Sequence, residues 1–114
     1  MALSEFEQKR FEKPVKVYCS RRFPAHFKSQ LYLDYRLENQ SVILFVVRPH
    51  WKNSNKKIEE MVAKATYLKS RRVWRIYWQR ADLKWHQYEP SFEVETIEEF
   101  LGVVEKDEYG CFYG

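Results

Sequence analysis

Residues 31–47 read LYLDYRLENQSVILFVV, and the change of pattern within them constrains the fold more than any other stretch. Up to Glu38 the chain alternates, with Leu31, Leu33, Tyr35 and Leu37 on one side and Tyr32, Asp34, Arg36 and Glu38 on the other. A side-chain period of two belongs to a strand with one buried face. Glu38-Asn39-Gln40 supplies a polar turn. SVILFVV is then apolar on both faces, as a central strand covered on two sides is, and Pro49 closes it. A chain holding these two neighbours builds an antiparallel sheet and needs other elements to cover it.

Both ends of the chain supply helices. Ser4-Glu5-Phe6-Glu7 is a capping box, and Phe11, Val15, Tyr18 and Cys19 follow it at i, i+4, i+7 and i+8. Pro14 predicts a kink or break near Lys13, and Phe23-Pro24 an end. Thr96-Ile97-Glu98-Glu99 is a second capping box, with Ile97, Phe100, Leu101 and Val104 on one stripe. The terminal GCFYG is expected to be tucked in, along a sheet edge.

Between the helices, HWKNSNKKIEE at 50–60 reads as a mobile loop and VAKATYLKS at 62–70 as a strand. VWRIYWQRADLKWHQYEP, 73–90, then reads as an aromatic hairpin. With Ala81-Asp82 as a two-residue turn, Trp78 lies opposite Trp85 and Tyr77 opposite His86. That register makes Trp74, Trp78 and Trp85 core. It turns Arg75, Tyr77, Lys84, His86 and Tyr88 outward. Taken together, the pattern predicts one α+β domain over 1–114. Its order is an N-terminal helix, a four-stranded antiparallel meander and a C-terminal helix, with both helices on one face of the sheet.

Composition narrows the function classes. A chain of 114 residues, 45% hydrophobic and 32% charged, is neither disordered nor too small for a core. Its longest apolar run is far short of a membrane span, and no secretory leader is visible, which points to the cytoplasm and to no membrane partner. Cys19 and Cys111 are then expected as reduced thiols. The net charge of +4 conceals a split. Arg48 to Lys84 holds eleven Lys or Arg against three acids, whereas Glu89 to Glu108 holds eight acids against one lysine. Such a basic segment attracts a polyanion, or docks on the acidic helix of another subunit.

Three functions compete for these residues. The leading one is a non-catalytic protein-interaction module that self-associates or takes a protein partner through an exposed sheet edge and an aromatic outer face. The alternative is nucleic-acid binding by Arg75, Tyr77, Lys84, His86 and Tyr88, extended by Arg48, His50, Lys52, Lys56, Lys57, Arg71 and Arg72. Aromatics interleaved with cations stack bases and neutralise phosphates. The third is a small enzyme with His50 or His86 as base, oriented by Asp82 or Glu89. No HxxxH, HExxH, GxSxG or Gly-rich phosphate loop supports catalysis, and His26, His50 and His86 have no metal-ligand spacing. No cofactor or metal is expected.

RIYWQRADLKWHQYEP, VVRPHWKN, VAKATYLKSRRVW and GCFYG, with Trp74, Tyr77 and Trp78 in W-x-x-Y-W spacing, resemble a family of small stand-alone bacterial proteins classed as a domain of unknown function. The resemblance covers nearly the whole chain. It implies a bacterial, cytosolic, single-domain protein and assigns no catalytic or binding residue.

Overall fold

The computed structural model describes residues 3–23, 30–53 and 55–114. Helix α1, Glu5–Arg21, starts where the capping box places it: Ser4 Oγ accepts the Glu7 N–H at 3.1 Å and Glu7 Oε1 accepts the Ser4 N–H at 3.0 Å. Leu3 is buried, and its N–H donates to the Asn39 carbonyl, tying the helix start to the first turn of the sheet. The expected break at Pro14 is absent. Phe11 lies edge-on to Trp74 at 4.9 Å and Val15 is fully buried, so packing on both sides of the proline outweighs the lost helical bond. His26 and Pro24 lie outside the described residues.

Among the described residues six strands follow rather than four: β1 Tyr32–Glu38, β2 Ser41–Pro49, β3 Lys57–Leu68, β4 Val73–Gln79, β5 Trp85–Gln87 and β6 Glu93–Val94. All pairs are antiparallel and the order is β1-β2-β3-β4-β5. β5 and β6 share the second edge of β4, one beside Tyr77–Gln79 and the other beside Trp74 and Arg75. A 3₁₀ turn at Glu89–Ser91 carries the chain between them. The second arm of the expected hairpin is β5, while β6 escaped the sequence pattern because a two-residue strand is too short to display a period.

β3 also begins earlier than the alternation suggests. Lys57–Glu60, expected in a loop, pair with Val46–Pro49, so β2 and β3 form a long two-stranded ribbon. The pairing slips between Leu44 and Phe45, where a bulge in β3 leaves Val62 and Ala63 both buried.

Helix α2, Ile97–Lys106, begins at a second complete capping box, with Thr96 Oγ1 and Glu99 exchanging bonds of 3.1 Å. It packs on β4, β6 and α1. Val15, Leu33, Leu44, Trp74, Ile76, Phe100 and Val104 belong to one core between the helices and the inner face of the sheet. The tail is tucked in as expected, though not as a strand. Asp107 accepts the backbone N–H groups of Phe112, Tyr113 and Gly114, and Phe112 packs on Tyr88 at 4.8 Å.

Truncating Trp74 to Ala is expected to cost about 3–5 kcal/mol, as for other buried aromatics. Thr96→Ala should cost about 1 kcal/mol through the lost cap. Urea unfolding of the two variants checks both values.

Candidate functional site

The open face of the sheet is assembled from alternate residues of five strands. On β2 it presents Ile43, Phe45 and Val47, each no more than 5% exposed although the helices lie on the other side. Long charged side chains supply part of their cover. Arg36 of β1 lies over the Phe45 ring at 4.8 Å, and its Nη2 is 3.0 and 3.1 Å from the two carboxylate oxygens of Glu59 on β3. The pair spans β2 and shields its apolar strip. Such half-exposed pairs add little stability by charge alone, and the covering stems add more.

Two cations on this face rest on aromatic rings instead. Lys57 Nζ is 5.1 Å from the Tyr32 ring centroid. Lys64, between Ile43 of β2 and Tyr77 of β4, places its Nζ 5.7 Å from the Tyr77 ring and 5.9 Å from that of Trp85. Among the described residues neither lysine has a carboxylate partner. Arg75 differs: it shares Glu93 with Arg71, at 2.9 and 2.7 Å. Arg75, followed by Arg71, holds the Glu93 carboxyl below its ordinary range.

Trp85 reaches the open face because the hairpin register differs by one residue from the expected one. Tyr77 pairs with Gln87, Trp78 with His86 and Gln79 with Trp85. The Arg80 N–H bonds the Lys84 carbonyl, leaving three residues, Ala81, Asp82 and Leu83, in the turn, with Leu83 at φ 63°. A three-residue loop ending in a left-handed residue replaces the two-residue turn that would want glycine. Asp82 fastens it, accepting the Lys84 N–H at 2.9 Å and lying 2.8 Å from His86 Nε2. The Lys84 N–H, and after it the His86 ring, depress the Asp82 carboxyl.

A one-residue slip exchanges the two faces of a strand. Trp85, expected in the core, therefore stands outward beside Tyr77. Of the residues expected on the outer face, Tyr77 and Arg75 are there, Lys84 is exposed in the turn, and His86 and Tyr88 are on the opposite side. Tyr88 is 2% exposed. His86 borders a cavity of about 350 Å³ together with Trp78, Tyr88 and Cys111. It has the orienting carboxylate that a base needs, yet burial pushes the Cys111 thiol up, and no cluster of three metal-ligand side chains occurs among the described residues. Cys19, pushed up to about 12 chiefly by burial, is no better a nucleophile.

The remaining candidates, Arg48 and His50, lie at the end of the β2–β3 ribbon. Arg48 forms an ion pair with Glu60. His50 stacks on Trp51 at 5.7 Å, its Nδ1 accepts the Lys52 N–H, and Lys52 Nζ lies 4.7 Å from the Trp51 ring. Sequence reasoning passed over Trp51, which is 79% exposed. The signal was present: an aromatic inside RPHWKNSNKK, a decapeptide with four cations and no acid.

The family model of a domain of unknown function, DUF3024, matches residues 3–114. The chain belongs to this family. No curated protein and no solved structure matches this DUF3024 chain. No described helix is long and apolar enough to cross a membrane.

Tyr88→Ala is expected to cost about 3–5 kcal/mol, while Tyr77→Ala costs under about 1 kcal/mol. Thermal unfolding of the two single variants separates the faces. The folded Asp82 carboxyl titrates below its unfolded value of about 3.9, so its contribution to stability is complete above that pH and is lost as pH falls through the folded value. Asp82→Asn should flatten the acid limb of a stability-against-pH curve.

Proposed function

We propose that this DUF3024 chain is a non-catalytic binding module that holds single-stranded nucleic acid across the open face of its sheet. One observation carries the reading: Lys64, without a carboxylate partner among the described residues, places its ammonium within 6 Å of both the Tyr77 and Trp85 rings on the face that the helices leave open. Rings of this kind stack bases of any sequence, and a lysine freed from them reaches a phosphate. Lys57 over Tyr32 repeats the arrangement at the other end of the face.

Self-association through the sheet has less in its favour. Among the described residues, the large hydrophobic side chains with substantial exposure, Phe6, Val17, Trp51, Leu83, Phe92 and Tyr109, are scattered rather than gathered on the open face. A stable homodimer interface wants a contiguous apolar centre. The outer edge of β1, unpaired among the described residues, carries Asp34, Arg36 and Glu38, all exposed, and such charges discourage edge-to-edge pairing.

Fluorescence anisotropy with a labelled oligothymidylate provides the test. The affinity should fall linearly on a log–log plot against salt, with a slope of roughly −0.7 per phosphate neutralised. Lys64→Ala should make that slope shallower by about one contact, and Trp85→Ala should weaken binding by about 1–3 kcal/mol with the salt slope unchanged. Absence of binding at low salt, with the protein sedimenting as a dimer, would favour the protein-interaction reading instead.

A further inference from the structure

Trp51 has the largest exposure among the large hydrophobic side chains of the described residues. Its neighbours are polar: the His50 ring is stacked on it and the Lys52 ammonium lies over it, while the backbones of Lys56 and Lys57 face those of His50 and Pro49 across the turn. The His50 N–H bonds the Lys56 carbonyl, so these residues are fixed to the end of the β2–β3 ribbon. An exposed tryptophan that carries a lysine ammonium on its ring, in a turn rich in cations, is poorly placed for a folding role, because it gains no burial and the cations repel one another. Bases and phosphates satisfy both halves of the arrangement.

The ribbon joins this tip to the open face. Lys57, over Tyr32, is the first residue of β3 and pairs with Pro49 beside the turn. From Lys57 to Lys64 is seven residues of strand, about 23 Å at ~3.3 Å per residue. A single strand lying on Trp85 and Tyr77 and continuing along β3 therefore arrives at Trp51.

We infer that the tip formed by His50, Trp51 and Lys52 is a second nucleic-acid contact, stacking one base and engaging neighbouring phosphates beyond the end of the sheet, so that the protein measures the length of the strand it holds. The inference rests on the binding reading of the open face. Two contacts on one ligand raise affinity only when the ligand spans both.

The test uses oligothymidylates of about 4, 8 and 16 nucleotides, the range of site sizes on small single-strand-binding domains. Wild-type affinity should rise with length. Trp51→Ala combined with Lys52→Ala should weaken the longest oligonucleotide by roughly tenfold, the lower part of the range for one stacked base, and leave the shortest unchanged. Both residues are exposed, so the unfolding midpoint should not move and lost folding does not confuse the result. Equal losses at every length would overturn the two-part site by making the tip part of one compact site. No loss at any length, with wild-type binding intact, would overturn the tip contact and leave the open face standing. Failure of the wild type to bind any length would overturn both.

Discussion

The parity of β5 is set by a three-residue turn, and the composition of both faces of the sheet follows from it. Asp82 holds that turn by accepting the Lys84 N–H and the His86 ring, while Leu83 takes the left-handed conformation at φ 63°. With this parity Tyr88 enters the core against Phe112, and Trp85 joins Tyr77 and Lys64 in the open. The opposite parity would bury Trp85 and leave Tyr88 outside. Two side-chain hydrogen bonds and one strained residue thus decide which aromatic rings a ligand can meet.

The open face also has to protect an apolar strand. Ile43, Phe45 and Val47 are buried on the side away from the helices, and the Arg36–Glu59 pair crosses above them. Arg75 is similarly committed to Glu93. The cations on the face therefore divide in two. Those paired with acids cover the strand and hold the sheet together, whereas Lys57 and Lys64 rest on rings and can exchange that contact for a phosphate. The basic segment noted in the sequence is an uneven guide to this division, since charge counts do not record which acids stand opposite.

What the sequence disclosed was local. Both capping boxes form as written, Leu33 and Leu37 alternate with Asp34 and Arg36 along β1, and the Phe100, Leu101 and Val104 stripe faces the core. What it hid depended on partners distant in the chain. Lys57–Glu60 lack an apolar period because they pair with β2 beyond the helices, and Glu93–Val94 form a strand only because β4 has a vacant edge. The hairpin register lies one residue from the two-residue-turn register because Asp82, whose side chain bonds two residues ahead as aspartates in turns commonly do, holds a three-residue loop. Of the candidate binding residues, Arg75 and Tyr77 stood where alternation placed them. His86 and Tyr88 exchanged faces with Trp85 for that single reason.

The central claim, that the face left open by the helices is the binding surface, is tested most directly by adding an oligothymidylate to the isotope-labelled protein and following its nitrogen–proton correlation spectrum at low salt. The Trp85 indole and the backbone amides of Lys64 and Tyr77 should move together while the Trp74 indole stays in place. Movement concentrated on α1 and α2, or a spectrum unchanged by the ligand, would contradict it.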